Sequence, residues 1–138
     1  MSQYVVVDAS VWVSRLIEED VFHNLCRGWL DGQRLQGVQF VAPALLLVEV
    51  AAAISRRTGD TDLARRAADA LKRLPDLRLV EMGNDVVQTA VVAGAELGVR
   101  GADAFYIAIA QQLGLPLATL ASDQRHRAGR VVETWEVE

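Results

Sequence analysis

Short apolar runs alternate along the chain with longer segments in which apolar residues recur every three or four positions. The short runs predict buried strands, and the longer segments predict amphipathic or buried helices. The predicted strands cover residues 4–7, 38–42, 77–81, 116–120 and 131–135. Because strands that alternate with helices usually pair in parallel beneath helical layers, this pattern predicts a three-layer α/β/α domain with a mostly parallel central sheet.

Capping residues, prolines and glycines predict where the helices begin and end. Ser10 is expected to cap the first helix, and the second is expected to run from Val21 to Leu30 and to end at Gly32. Pro43 suits the first turn of the third helix. From there on, the predicted helices span residues 44–57, about 61–74, 84–97 and 102–113, with a short turn or helix after residue 120.

The length of 138 residues fits a single domain, 1–138, with a substantial core. No apolar stretch reaches the roughly 18 residues that span a bilayer, so we expect no membrane contact. No basic segment leads into an apolar one at the N-terminus, so we expect no secretion signal. The one cysteine, Cys26, cannot form an internal disulfide and fits a reducing, cytoplasmic environment.

The formal net charge of −4 argues against a protein that wraps nucleic acid by bulk electrostatics. It does not exclude a nuclease, because bound divalent cations would supply local positive charge that the formal count omits. Lys72 is the one lysine beside thirteen arginines. This scarcity disfavours the phosphate chemistries that depend on a well-placed lysine.

Two carboxylates stand in unusually apolar surroundings. Asp8 ends the first predicted strand, and ligands of parallel sheets bind beyond the carboxyl ends of the strands. Glu49 is the one polar side chain between Pro43 and Ser55. A helix that is apolar all round is expected to be buried, so Glu49 needs an arginine, a hydrogen-bond network or a metal ion to compensate its charge.

Two further acids complete the candidate set. Asp103 lies in the first turn of a mostly apolar helix, and Asp123 follows a predicted strand end. Taken singly, Asp8, Asp103 and Asp123 are explained as well by helix capping or by a turn, and Glu49 by a buried ion pair with Arg56 or Arg57. Brought together, however, four carboxylates would repel one another, and Mg²⁺ or Mn²⁺ would relieve that repulsion. Such a site activates water for attack on a phosphate.

Three segments resemble the motifs of PIN-domain ribonucleases, and above all the VapC-type toxins of toxin–antitoxin pairs. These segments are V5-V-V-D-A-S-V11, L46-L-V-E-V-A-A52 and R100-G-A-D-A-F-Y-I-A108. Their order and spacing carry the resemblance across almost the whole chain. It implies a PIN-like fold in which Asp8, Glu49 and Asp103 are the metal-binding and catalytic acids.

The resemblance also implies roles for residues around those acids. Ser10 matches the small hydroxyl residue that orders the acidic pocket, and Thr119 matches the hydroxyl residue at the end of the fourth strand. The family commonly has an aspartate two residues after that threonine, where this chain has Ala121. Asp123 resembles an additional acid of some members and is expected to substitute as the fourth ligand.

The implied activity is that of a Mg²⁺- or Mn²⁺-dependent endoribonuclease that hydrolyses RNA and leaves a 5′-phosphate. The implied partners are a small antitoxin protein and a second copy of the chain in a homodimer. Alanine-rich helical segments at 44–54 and 63–71 are candidates for a groove or dimer face. The candidate phosphate contacts are Arg56, Arg57, Arg100, Arg125 and Arg127.

Other classes of function fit the sequence less well. A two-histidine ribonuclease would need His23 and His126 in one pocket. A phosphoaspartyl enzyme would use a lysine near the phosphate, but Lys72 lies in a polar helical segment. A catalytically weak or inactive PIN-like module that binds RNA or protein is the alternative that the alanine at position 121 keeps open.

Overall fold

Five strands form one all-parallel sheet in the computed structural model, which describes residues 3–138. Residues 1 and 2 of the predicted domain lie outside the described residues. The strands are β1 (Gln3–Val7), β2 (Val38–Pro43), β3 (Leu77–Val80), β4 (Leu117–Thr119) and β5 (Thr134–Glu136). Their spatial order is β3-β2-β1-β4-β5, so the chain moves outward from the central β1 first on one side and then on the other.

Seven helices flank the sheet within residues 3–138. They are α1 (Ala9–Leu16), α2 (His23–Leu35), α3 (Leu45–Thr58), α4 (Thr61–Lys72), α5 (Asn84–Leu97), α6 (Gly101–Leu113) and α7 (Ser122–Ala128). The predicted three-layer α/β/α fold is confirmed. No helix in the described part of the chain combines the length and apolar character that crossing a bilayer requires.

The core lies around the central strands. Val5, Val6 and Val7 are completely buried, as expected for a parallel strand covered on both faces. Trp12 of α1 meets Phe40 of β2 edge to face, with ring centroids 5.5 Å apart. Such contacts add to the apolar area that these rings bury, so Trp12 is a packing residue.

The first two helices differ from their predicted limits. Asp8, not Ser10, caps α1: its backbone is extended and its Oδ1 accepts the Ser10 N–H at 3.1 Å. The second helix begins at His23 and continues through Gly32 to Leu35. A glycine inside a helix costs only about 1 kcal/mol. The buried face of α2, which includes Cys26, Trp29 and Leu30, outweighs that cost.

Two further boundaries are corrected. Pro43 is the last residue of β2 rather than part of a helix, and α3 begins after Ala44. The last strand begins at Thr134, three residues later than predicted, because residues 128–132 turn back through backbone hydrogen bonds onto the end of α7.

The helix that carries Glu49 is not buried all round. Leu46, Val50 and Ile54 pack into the core, whereas Val48 is 65% exposed. The expectation of a fully buried helix is therefore wrong. One part of its outer surface forms, with α4, an apolar groove lined by Leu47, Val48, Ala51, Ala52, Ser55, Thr61, Ala64 and Arg65.

Candidate active site

A cleft opens beside the carboxyl end of β1, the strand from which the chain order runs outward in both directions across the sheet. β1 continues to β2 on one side, and β4 pairs with β1 on the other, with Val7 opposite Ala118. Such reversal points leave a crevice at the carboxyl ends of the strands. The cleft has a volume of about 610 Å³, and its wall includes Asp8, Glu49 and Asp103; we call it the acidic cleft.

Asp8 forms the floor of the acidic cleft. Its side chain is 3% exposed, its backbone N–H donates to the Ala118 carbonyl at 3.1 Å, and its Oδ1 accepts the Ser10 hydroxyl at 2.5 Å. Burial raises the pKa of Asp8 to about 6, and the charge of Asp103 contributes in the same direction. Hydrogen bonds from the hydroxyl and the backbone N–H of Ser10 oppose that rise in pKa. No cationic side chain within residues 3–138 pairs with Asp8.

Glu49 reaches the cleft from α3 and is held by α6. The Tyr106 hydroxyl donates to its Oε1 at 2.7 Å. Burial raises the pKa of Glu49, and so does the charge of Asp103, while the hydrogen bond from Tyr106 and the charge of Arg100 oppose the rise. A hydrogen bond from a tyrosine thus partly offsets the burial of Glu49, and no cationic side chain within residues 3–138 forms an ion pair with it.

Tyr106 is one of the cleft residues that are not among the candidates predicted from the sequence. It is 1% exposed, and burial together with the charge of Glu49 raises its pKa, which keeps the hydroxyl protonated as a donor. A signal existed, because Tyr106 lies three residues after Asp103 and therefore on the same face of the helix. Its partner lies 57 residues earlier, so the contact itself depends on tertiary structure.

Asp103 lines the cleft from the first turn of α6. Its side chain is 14% exposed and pairs with Arg100, with Nε and Oδ2 3.0 Å apart. The negative charge of Asp103 raises the pKa of both Asp8 and Glu49. Asp103 therefore lies close enough to both Asp8 and Glu49 to affect their pKa values, although the three acids come from the end of β1, from α3 and from α6.

Hydroxyl groups join the ends of β1 and β4 beneath the cleft. The Ser10 hydroxyl accepts the Leu120 N–H at 3.4 Å, while the Thr119 hydroxyl accepts the Ala121 N–H and donates to Gln124 Oε1, both at 3.2 Å. Thr119 is completely buried. Of the two predicted supporting residues, Ser10 lines the cleft and Thr119 lies buried beneath it, and both bind the backbone that follows β4.

Asp123 is not brought to the wall of the acidic cleft. It lines a smaller neighbouring pocket together with Asp103, and Ala121 lines both. The side chain of Asp123 is 80% exposed and pairs with Arg127, with Nε and Oδ2 3.1 Å apart. Arg127 is itself anchored to the Leu97 carbonyl at 2.9 Å. The role of Asp123 as a fourth ligand stays a prediction.

The candidate arginines fall into two groups. Arg56, Arg57 and Arg100 line the acidic cleft, whereas Arg125 and Arg127 do not. Arg57 pairs with Asp20 at 2.8 Å, and Arg125 pairs with Glu136 at 3.1 Å. The guanidinium group of Arg56 forms no ion pair or hydrogen bond with any residue that the structure describes. It is therefore the cation in the cleft that is most available to a phosphate.

The donor set of the cleft fits a hard divalent cation. Asp8, Glu49 and Asp103 offer carboxylate oxygens, the ligands that Mg²⁺ and Mn²⁺ prefer. Within residues 3–138, no three His, Cys, Asp or Glu side chains are gathered tightly enough to enclose a metal ion by themselves. This spacing is compatible with Mg²⁺, which usually takes one or two carboxylates and keeps several waters.

The geometry does not support the two-histidine alternative. His23 is buried, with its Nδ1 3.0 Å from the Ser14 carbonyl oxygen, and it does not line the acidic cleft. His126 lines a separate surface pocket with Arg125 and Arg130. The two imidazoles therefore do not share a pocket in which one would act as acid and the other as base.

A sequence-family model described as the PIN domain matches residues 5–130. No curated protein shows a significant sequence match to the chain. Among solved structures, VapC20 of Mycobacterium tuberculosis, described as a toxin that cleaves the sarcin–ricin loop, is 20% identical with a TM-score of 0.78. The similarity covers 94% of this chain and 97% of that one.

Two complexes contain further similar folds. VapBC2 of Rickettsia felis, bound to a DNA fragment from its promoter, matches with 10% identity and a TM-score of 0.73, over 99% of this chain and 100% of that one. A toxin–antitoxin complex from Klebsiella pneumoniae matches with 17% identity and a TM-score of 0.66, over 86% and 87%. At such low identity these likenesses establish the fold.

Proposed function

The chain belongs to the PIN domain family, and we propose that it is a metal-dependent endoribonuclease that acts as the toxin of a toxin–antitoxin pair. One observation carries the proposal: Asp8, Glu49 and Asp103 reach the same cleft from three separate elements, at the carboxyl edge of a parallel sheet. Burying one of them without a cationic partner is costly unless a ligand supplies the missing charge.

The three acids would hold Mg²⁺ or Mn²⁺. When bound, such an ion polarises a phosphate and lowers the pKa of a coordinated water, which favours hydrolysis without a covalent intermediate. Ser10 keeps the Asp8 carboxylate oriented through two hydrogen bonds to Oδ1. Tyr106 does the same for Glu49 and leaves that carboxylate one oxygen free of the tyrosine.

The arginines of the cleft would bind the RNA backbone. Arg56 lines the acidic cleft without a partner among the described residues, so it is placed to contact a phosphate next to the bond that is cut. Arg100 lies beside Asp103 with a side chain that is 85% exposed, so its remaining N–H groups are open to the strand. We expect Arg125 and Arg127 to contribute less, because each is engaged in an ion pair outside the cleft.

The antitoxin would bind along the apolar groove between α3 and α4. This groove shares Val48 and Ala52 with the acidic cleft, so one bound segment would cover both. Amphipathic helices commonly bind in such apolar grooves. We further propose that the protein forms a homodimer, with the exposed valines of α5 (Val87, Val91 and Val92) as the candidate face, and that it acts in the cytoplasm.

The decisive experiment is cleavage of a mixed set of RNAs by the purified protein with Mn²⁺, Mg²⁺ or EDTA. Cleavage is expected with either metal, absent with EDTA, and absent from the Asp8→Asn variant. Mass analysis of the fragments should find 5′-phosphates. A folded protein that is free of inhibitor and cuts no RNA under any condition would favour the binding-only module, for which the alanine at position 121 is the supporting observation.

A further inference from the structure

Phe22 is the one aromatic side chain within residues 3–138 that lines the acidic cleft and is also exposed. It precedes α2 and keeps 47% of its surface in contact with solvent. The other aromatic residue of the cleft, Tyr106, is buried and uses its hydroxyl to hold Glu49. Since much of the Phe22 side chain is exposed rather than packed into the core, the face of the ring is free to contact a ligand in the cleft.

The turn that carries Phe22 is firmly held. Its backbone N–H donates to Asp20 Oδ1 at 2.8 Å, and Asp20 Oδ2 pairs with Arg57 of α3, also at 2.8 Å. Burial by itself would raise the pKa of Asp20, but hydrogen bonds from the Phe22 N–H, Arg57 and Ser14 outweigh burial and lower it. The carboxylate therefore stays charged and ties the turn to α3 across the cleft. A ring that is positioned beforehand loses little conformational entropy on binding.

We propose that Phe22 stacks on an unpaired base of single-stranded RNA beside the phosphate that is cut. The inference rests on the proposed ribonuclease function and names a residue that positions its substrate. A base in a duplex is stacked on both faces and cannot offer one to a side chain, whereas a base in a loop or single strand can. Stacking on an aromatic ring accepts any base, so it positions the strand without reading its sequence.

The acidic character of the cleft explains why stacking would contribute to RNA binding. Asp8, Asp20, Glu49 and Asp103 all line it, so its wall is more acidic than that of a typical nucleic-acid groove. Arg56, Arg57 and Arg100 also line the cleft but do not fully offset these four acids, so attraction for the phosphate backbone depends on the bound cation. Stacking with Phe22 adds affinity that does not depend on charge, and it fixes the nucleotide beside Arg56, which remains available to a phosphate.

An abasic scan tests the proposal. A short single-stranded RNA that the protein cuts is prepared with one base at a time removed, and kcat/KM is measured for each. In the unmutated protein, one abasic position near the cut should lower kcat/KM by about tenfold or more, as expected for one lost stack. Phe22→Ala should lower kcat/KM for the intact RNA by a similar factor, and the abasic change should then have no further effect.

Two variants serve as controls. Phe22→Trp keeps a stacking ring and should retain the sensitivity to the abasic position. Leu25 of α2 is also apolar and is 37% exposed, but it does not line the cleft. The variant Leu25→Ala should therefore behave as the parent. The unfolding midpoint of each variant confirms that it is folded.

Several results would overturn the inference. One is full abasic sensitivity in Phe22→Ala; another is a preference of the parent for a fully paired duplex. A loss that is equal for all substrates and accompanied by a lower molecular mass would make Phe22 a dimer contact. Unchanged RNA cleavage with weakened antitoxin binding would make it a partner contact.

The proposed ribonuclease function and the stacking role of Phe22 can be tested separately. If the parent cuts no RNA, binding of the same abasic series to the parent and to Phe22→Ala is measured instead. The expected pattern in binding alone would keep Phe22 as a stacking residue and reject the nuclease. Failure to bind any RNA would overturn both.

Discussion

Two acidic regions border one another at the carboxyl edge of the sheet, and their carboxylates are held differently. In the acidic cleft, Asp8 is 3% exposed, has no cationic partner among the described residues, and has a pKa raised to about 6 by burial. On α7, Asp123 is 80% exposed and pairs with Arg127 four residues later. The charged form of Asp8 is destabilised by burial, whereas the charge of Asp123 is stabilised by solvent and by a surface ion pair.

Proximity of acids is therefore not sufficient to define a metal site. A carboxylate that is buried without compensation gains free energy when a cation arrives, because the ion replaces both the lost hydration and the missing counter-charge. An exposed carboxylate in a surface ion pair, worth about 0–1 kcal/mol, gains little and must first leave its partner. Asp8 is therefore the stronger candidate ligand of the two.

The largest expected effect comes from neutralising the buried acid. Asp8→Asn retains an oxygen that can accept the hydrogen bonds from Ser10 but loses the negative charge that would bind the cation. Because even residues that only support metal ligands change activity by 10–100-fold, we expect more than about a hundredfold loss of RNA cleavage. Cleavage rates with saturating Mn²⁺ measure this, and circular dichroism should find the fold intact. Near-normal cleavage would mean that Asp8 only caps α1 and does not bind a catalytic metal ion.

The next effect should come from the tyrosine that holds Glu49. Tyr106→Phe keeps the buried ring and removes the hydroxyl that donates to Oε1. Without this donor, the pKa of Glu49 should rise further and its carboxylate should lose orientation, which lowers metal affinity and cleavage by about tenfold. Added Mn²⁺ should recover part of the loss, whereas a purely structural role would leave the metal dependence unchanged. Phe105→Leu, on the same helix but outside the cleft, is the matched control.

The sequence predicts the fold well because its signals are local. Gly98, in the left-handed conformation, ends α5 at Leu97 as expected, whereas Gly32 does not end α2, which continues to Leu35 and is followed by Gly37 in the left-handed conformation. The convergence of Asp8 with Glu49 and Asp103 follows from strand ends and family motifs. The Tyr106 contact does not, because it depends on how α3 and α6 approach one another.

The direction of the Asp123 side chain could not be predicted from the sequence for a related reason. A turn acid after β4 was predicted to reach the cleft, but the first turn of α7 directs it to the neighbouring pocket, where Arg127 is available one helical turn later. Spacing along the chain identifies which acids follow strand ends. The direction in which each side chain then points depends on local turns.

The stability of the metal-free protein should depend on pH through Asp8. Its pKa is about 6 in the folded protein, against 3.8 for an aspartate in an unfolded chain, so the folded state binds the proton more tightly than the unfolded chain. The resulting stabilisation is fully present below about pH 4 and is lost as pH rises through about 6. The loss is at most about 3 kcal/mol. Urea unfolding in EDTA at several pH values measures it, and it should be absent from Asp8→Asn. Equal pH profiles for the two proteins would contradict the raised pKa.

The smallest effect is expected at Asp123, and it decides how many acids form the site. Asp123→Asn removes a charge that is 80% exposed and paired with Arg127, so stability should change by less than about 1 kcal/mol. If the carboxylate stays outside the cleft, cleavage and the Mn²⁺ concentration for half-maximal activity should change less than about threefold. Arg127→Gln, which removes the partner of Asp123, is the matched variant. A loss as large as that of Asp8→Asn would make Asp123 the fourth ligand, and the cleft and α7 would then form one metal site.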